Sequence, residues 1–282
     1  MTRVLLAIAV VFALGLCFGV RVSRAEDPYI VLASTTSVDN SGLLTHILPL
    51  FKKASGIDVR VVALGTGQAL DVARRGDADL VLVHDPDAEK KFIDEGHGIN
   101  RHEIAWNDFI IVGPETDPAK IKGNKDVVAA FRAIWTANAP FVSRGDKSGT
   151  DALEKRLWKA ADLDPTKAGS WYKDIGGGMG AALNTAAAMD AYTLSDRGTW
   201  LSFQNRAQLA IVLEGDARLL NRYDVIELDP KLHAKAKLAL AKKFADWLAS
   251  AEGQSAIGDY EMAGQKLFHP EADPKPGSAR QS

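Results

Sequence analysis

The chain has 282 residues, of which 46% are hydrophobic and 25% are charged, with 36 acidic residues against 34 basic ones. This length suits a globular protein with two lobes, and the near balance of charge excludes the strongly basic surface typical of a nucleic-acid binder. Cys17 is the only cysteine, so we expect no disulfide and no cysteine-based chemistry.

Residues 1–25 have the features of a secretory signal peptide. Arg3 precedes an uninterrupted apolar run over residues 4–20, and Ser23 and Ala25 supply the small-x-small pattern of a cleavage site. We therefore expect cleavage after Ala25 and a mature protein in the periplasm. The alternative, a retained membrane anchor, is disfavoured because roughly 20 apolar residues are needed to span a bilayer. Cleavage removes three arginines and no acids, which leaves a net charge near −5.

Beyond residue 26, apolar runs of strand length alternate with segments whose apolar residues recur at helical spacing. Strands are predicted over residues 29–33, 58–63, 78–83, 109–113, 141–143, 191–194, 209–213 and 223–228. Helices are predicted around Leu43 to Phe51 and Leu70 to Ala73, and over residues 88–95, 181–189 and 235–250. This alternation predicts an α/β protein with a mostly parallel sheet and helices on both of its faces.

The order of the elements predicts two lobes joined by two passages of the chain. The first lobe comprises residues 26–112 and 214–268, and the second comprises residues 113–213. Residues 269–282 are rich in proline and polar residues, which predicts a flexible tail. A ligand is expected in the cleft between the lobes, because ligands of open α/β sheets bind beyond the carboxyl ends of the strands.

Three turns that follow predicted strands are rich in hydroxyl groups and glycine. Hydroxyls at a strand-to-helix turn lie beside the free N–H groups of the helix N-terminus, a combination that suits a small anion. Taken singly, each Ser or Thr is more simply explained as a helix cap; three such turns together favour an oxyanion site. The candidate ligand-binding residues are Thr35, Thr36, Thr66, Gly67, Arg144, Ser148, Gly149 and Thr150.

Among these candidates, Arg144 offers a charged fork of N–H donors suited to an oxyanion. The competing interpretation is an ion pair with Asp146, which we expect to cap a turn or orient a neighbour rather than face a dianion. His84 and Asp85 follow a predicted strand and are interpreted as turn chemistry, because the histidines show no spacing typical of metal ligands. No metal site is expected beyond the metal of an oxyanion ligand, and no cofactor is expected.

Six segments, taken in this order along the chain, carry a more specific signal: residues 34–44, 65–70, 75–84, 107–114, 143–150 and 191–199. Together they resemble the tungstate-binding periplasmic component of an ABC transporter. The resemblance implies a two-lobed type II periplasmic-binding-protein fold that binds tungstate, with or without molybdate, and delivers it to a membrane permease. Asp151 departs from the pattern, since related sequences often carry histidine there. We expect a monomer.

Two alternatives stay open at this stage. A phosphate or sulfate receptor of the same fold would use similar donors, and Asp146 suits phosphate because a carboxylate accepts a proton from the partly protonated anion. An enzyme is the other alternative, but the chain lacks the Gly-x-Ser-x-Gly turn of a serine hydrolase, a Walker loop, a dinucleotide fingerprint and a zinc helix. We therefore expect a binding protein without catalytic activity.

Overall fold

The computed structural model describes residues 27–273 and residue 275. The predicted signal peptide over residues 1–25, with its cleavage site at Ala25, lies outside the described residues. Within the described part of the chain, no helix combines the length and the apolar character needed to cross a membrane.

Twelve strands are formed by the described residues, and most lie where the apolar runs predict them. In chain order they are β1 (Tyr29–Thr35), β2 (Asp58–Leu64), β3 (Leu80–Val83), β4 (Gly98–Pro114), β5 (Phe141–Ser143), β6 (Tyr172–Asp174), β7 (Thr193–Asp196), β8 (Leu209–Leu213), β9 (Leu220–Leu228), β10 (Glu261–Met262), β11 (Gln265–Lys266) and β12 (His269–Pro270).

Ten α-helices connect these strands, and two short 3₁₀ turns lie at Pro165–Lys167 and Ala217–Leu219. In chain order the helices are α1 (Thr36–Asn40), α2 (Leu43–Ser55), α3 (Thr66–Arg74), α4 (Pro86–Asp94), α5 (Val127–Thr136), α6 (Gly149–Ala160), α7 (Met179–Met189), α8 (Arg197–Ser202), α9 (Leu238–Ala249) and α10 (Ala251–Gly258).

The main sheet has the strand order β12-β4-β9-β3-β1-β2, with β7 and β8 paired to the far end of β4. Strand β1 pairs in parallel with β2 and β3, whereas β9 pairs antiparallel with both β3 and β4. The prediction of a mostly parallel sheet is therefore wrong. The reason is topological: β9 re-enters the first lobe from the cleft, so it runs opposite to the strands that lead toward the cleft.

Strand β4 belongs to both lobes. Its first part pairs with β9, and its last part pairs with β7 and β8. Apart from Leu201, the buried side chains between Phe109 and Leu219 pack in clusters of their own, separate from those of the rest of the chain. The two-lobed α/β fold is thus confirmed, and the two passages lie nearer residues 108 and 220 than the predicted boundaries at 112 and 213.

Arg197 links these two passages. Its Nε and Nη2 atoms donate to the two carboxylate oxygens of Asp108, at 2.6 and 2.7 Å, and Nη2 also donates to Glu214 at 2.6 Å. Asp108 lies in β4 and Glu214 lies between β8 and β9. A bidentate, partly buried ion pair of this kind fixes the relative orientation of the two chain segments between the lobes.

The last described residues differ from the predicted tail. His269 and Pro270 form β12, which pairs with Trp106 and Ala105 at the edge of the sheet. The rings of His269 and Trp106 stack with centroids 4.1 Å apart. A flexible tail therefore does not begin at residue 269; residues 274 and 276–282 lie outside the described part.

The core of the second lobe contains a buried carboxyl group beside an aromatic cluster. Glu154 of α6 accepts hydrogen bonds from the indole of Trp158 at 3.1 Å and the hydroxyl of Tyr172 at 2.8 Å. Burial raises the pKa of Glu154 to about 7, against the ordinary value of 4.5, although these hydrogen bonds oppose the rise. Glu154 thus keeps its proton in the folded protein over a pH range in which the unfolded chain has lost it.

This carboxyl group predicts a pH-dependent contribution to stability. A raised pKa means that the folded state binds more protons, so the free energy of unfolding should fall as pH rises from about 4.5 to about 7. The difference in pKa corresponds to roughly 3 kcal/mol. Glu154→Gln should remove this part of the pH dependence, whereas Glu252→Gln, at an exposed site, should not. Urea denaturation at several pH values in this range measures the free energy of unfolding. If that free energy depends on pH equally in the wild type and in Glu154→Gln, the prediction is wrong.

Candidate functional site

Three turns meet where the two lobes face each other. The first follows β1 and opens α1, the second follows β2 and opens α3, and the third follows β5 and opens α6. They surround a cavity of about 40 Å³, where a single water needs about 10–15 Å³. Its lining residues are Thr35, Thr36, Ser37, Leu64, Gly65, Thr66 and His84 from the first lobe and Arg144, Ser148, Gly149 and Thr150 from the second.

The cavity presents hydrogen-bond donors and no carboxylate among the described residues that line it. Helices α3 and α6 point their N-termini, at Thr66 and Gly149, toward it. The first N–H groups of a helix lack partners within the helix, and the helix dipole makes that end positive. Hydroxyls and free amide N–H groups together fit a ligand that only accepts hydrogen bonds.

Two of the lining hydroxyls are also helix caps. The Thr35 hydroxyl accepts a hydrogen bond from the N–H of Val38 at 3.2 Å, and the Ser148 hydroxyl accepts one from Asp151 at 3.3 Å. Capping uses a lone pair of the oxygen and leaves the hydroxyl hydrogen free to donate. Capping and anion binding are therefore compatible at these positions.

Arg144 lines the cavity and is held in place by Asp146. Its Nε and Nη2 atoms donate to one carboxylate oxygen of Asp146, at 3.1 and 2.5 Å, and its Nη1 donates to the Thr150 hydroxyl at 3.2 Å. A guanidinium has five N–H groups, so further donors remain for a ligand. The Thr150 hydroxyl only accepts in its bond with Arg144, so its own hydrogen can still be donated to a ligand.

Asp146 acts as an orienting partner. Its second carboxylate oxygen accepts from the N–H of Ser148 at 3.1 Å. Burial favours the neutral acid, but the hydrogen bonds from Ser148 and Arg144 and the charge of Arg144 hold the pKa of Asp146 below its usual value. The carboxylate is thus ionised, paired and outside the cavity lining.

His84 and Ser37 also line the cavity, although neither is among the residues predicted from the sequence. The Nε2 atom of His84 lies 2.8 Å from the Ser37 hydroxyl and 3.1 Å from the Thr35 hydroxyl. The interpretation of His84 as turn chemistry is incomplete: Asp85 does cap α4, accepting from Asp87 and Ala88, but the His84 ring faces the cavity. The run of hydroxyls from Ser34 to Ser37 was the sequence signal for Ser37.

Seven of the eight predicted residues line the cavity, and Gly67 does not. Gly67 is the second residue of α3 and faces open space: a Cβ added there meets nothing within 4 Å. Gly149, in contrast, lies against the His84 ring, since an added Cβ would be 3.3 Å from the ring atom Cε1. Asp151 is also absent from the lining; its carboxylate accepts from the N–H of Lys147 and the ammonium of Lys155.

Residues 22–252 match the PBP superfamily domain. The chain is 44% identical over 247 residues to the tungstate-binding protein TupA of Peptoclostridium acidaminophilum, an alignment that covers 86% of each protein.

Two solved structures are similar to most of this chain. The tungstate-binding protein TupA from Desulfovibrio alaskensis G20 shares 44% identity with a TM-score of 0.82, covering 87% of this chain and 100% of that one. The tungstate ABC transporter structure from Geobacter sulfurreducens shares 42% identity with a TM-score of 0.73, covering 82% and 98% of the two chains.

The two glycines give a matched pair of substitutions. Gly67→Ala should raise the free energy of unfolding of the ligand-free protein by about 0.5–1 kcal/mol, because alanine loses less conformational freedom in a helix and fits the open space. Gly149→Ala should give no such gain, because the new methyl group presses on a ring held by hydrogen bonds on both nitrogens. Denaturant unfolding of both variants tests this; equal stabilisation would show that the ring yields freely.

Proposed function

Because the chain belongs to the PBP superfamily, in the family of the TupA proteins, we propose that it binds tungstate. It captures the oxyanion in the periplasm and delivers it to the permease of an ABC transporter, as a monomer and without catalysing a reaction. The resemblance found in the ordered sequence motifs is confirmed at the level of the family.

One observation supports this proposal most strongly: donors from both lobes converge on one cavity whose lining, within the described part of the chain, includes no carboxylate. A fully deprotonated tetrahedral oxyanion only accepts hydrogen bonds, so a donor-only site fits it. Hydroxyls come from Thr35, Thr36, Thr66, Ser148 and Thr150, charge comes from Arg144, and a close backbone approach comes at Gly149. Gly67, although a candidate, adds no lining group.

The structure also bears on the phosphate alternative. A phosphate receptor gains from a carboxylate that accepts the proton of the partly protonated anion. Asp146 was the candidate for that role, but it pairs with Arg144 and lies outside the cavity lining. The site therefore favours tungstate and molybdate, which carry no proton at neutral pH, over phosphate.

Tungstate should stabilise the folded protein by mass action. A ligand that binds only the folded state adds about 2.7 kcal/mol to the free energy of unfolding at about 100 times its dissociation constant. Thermal unfolding with tungstate, molybdate, sulfate and phosphate, followed by competition calorimetry, measures the order of preference. A shift with phosphate and none with tungstate would overturn the proposed ligand.

Substitutions at Arg144 test the charged contact. Arg144→Lys keeps the charge but loses the bidentate fork, and Arg144→Ala loses both and leaves Asp146 unpaired beside the anion. Loss of affinity should correspond to roughly 2–5 kcal/mol for Arg144→Ala and be smaller for Arg144→Lys. Thr66→Val, which removes one neutral hydroxyl, should cost about 1–3 kcal/mol and rank below both.

Calorimetric titration of tungstate gives the three affinities, with folding checked by circular dichroism. Arg75→Ala is the matched control, because Arg75 is an exposed arginine that pairs with Asp77 outside the cavity; it should bind like the wild type. Wild-type affinity in folded Arg144→Ala would remove Arg144 from the site.

A further inference from the structure

His84 stands in the wall of the cavity with hydrogen-bond partners on both of its ring nitrogens. We propose that His84 is a positioning residue that takes up a proton when the oxyanion binds and thereby frees the hydroxyl hydrogens of Thr35 and Ser37 for the anion. This inference rests on the proposed function, since it requires a divalent oxyanion in the cavity.

The Nδ1 side of the ring is fixed by a buried amide network. Nδ1 lies 3.1 Å from the side-chain oxygen of Asn221. The Asn221 amide nitrogen donates to Asn107 at 2.9 Å and to the Tyr223 hydroxyl at 2.7 Å, so only its oxygen faces the ring. That oxygen only accepts. Nδ1 therefore carries a hydrogen whether the ring is neutral or charged.

The two forms of the ring therefore differ only in whether Nε2 carries a hydrogen. In the neutral ring, Nε2 is an acceptor and takes a hydroxyl hydrogen from Ser37 or Thr35, at 2.8 and 3.1 Å. The two hydroxyls are themselves 2.9 Å apart, so one can donate to the other, and both hydrogens can be used away from the cavity. In the charged ring, Nε2 donates instead, and the hydroxyl oxygens become its acceptors.

Protonation therefore changes what the cavity offers to an anion. It adds a positive charge at the wall, and it releases hydroxyl hydrogens that the neutral ring had bound. Thr35 and Ser37 both line the cavity, so the released hydrogens lie within reach of a ligand there. A dianion in turn favours the charged form of a neighbouring base, so the two events stabilise each other.

In the free protein, burial favours the neutral form of the ring. Burial lowers the pKa of His84 below its usual value, although the hydrogen bond to Asn221 and the negative charges of Asp196 and Asp85 oppose this. The positive N-terminus of α6 also abuts the ring at Gly149. Two other titratable groups lie near His84: Arg144 across the cavity, and Tyr223, whose ring centroid is 5.1 Å from that of His84. A second cavity also borders His84, and it is lined by Arg156, Arg218 and Arg222.

Calorimetric titration of tungstate into the protein tests the proposal. At neutral pH, the titration is run in two buffers that contain no oxyanion and differ in ionisation enthalpy. The wild type should take up close to one proton per tungstate, and its affinity should tighten by up to about tenfold per pH unit as pH falls between the pKa values of the free and the bound ring. His84→Gln, which cannot titrate, should bind with no proton uptake and a flatter pH profile.

His102→Gln is the matched control, since His102 is exposed on β4; it should behave like the wild type. Tungstate binding without proton uptake in the wild type, or with undiminished uptake in His84→Gln, would overturn the inference and leave the proposed function intact. Absence of tungstate binding by the wild type would overturn both.

A second readout covers the case in which His84→Gln fails to fold or bind. The pH dependence of the His84 ring proton signal in nuclear magnetic resonance reports its pKa directly in the wild type. Adding tungstate should raise that pKa. An unchanged value would overturn the inference.

Discussion

Strand β4 runs without a break through both lobes, and this continuity determines how the lobes are joined. Its two ends pair with different strands, β9 in the first lobe and β7 and β8 in the second. Arg197 ties this strand to the returning passage through Asp108 and Glu214. The turns that form the cavity belong to different lobes, so their separation is set by these two passages. Because the buried clusters of the two lobes are largely separate, bending at these passages would change the width of the site without disturbing either core.

The electrostatics of the cavity follow from this arrangement. Overall the protein carries a slight excess of acidic residues, so an anion is held by local geometry rather than by net charge. Three carboxylates near the cavity have partners: Asp146 is paired with Arg144, Asp85 caps α4, and Asp196 caps α8. The described residues that line the cavity present hydroxyls, helix N-termini, one guanidinium and one imidazole. Such groups discriminate by the protonation and geometry of the anion, because each donor requires an acceptor.

Local sequence patterns predicted much of this structure. Apolar runs located β5 and β8 at their observed bounds, and the hydroxyl-rich turns located seven lining residues. Strand direction was mispredicted because the insertion of β9 between β3 and β4 depends on where the chain returns from the second lobe. His84 was missed for a related reason: its orientation depends on Asn221, 137 residues further along the chain. Gly67 was wrongly predicted to line the site, because a glycine-rich turn in the sequence does not reveal which of its residues face the cavity.

We expect one oxyanion to bind between the two lobes, in the cavity lined by hydrogen-bond donors. Anomalous diffraction at a tungsten absorption edge, from crystals grown with tungstate, tests it most directly because tungsten is located without reference to the surrounding protein. We expect a single strong peak between the hydroxyls of Thr66 and Thr150, within hydrogen-bonding reach of Arg144 through the anion's oxygens. A peak elsewhere, such as on the surface of one lobe, would contradict this placement.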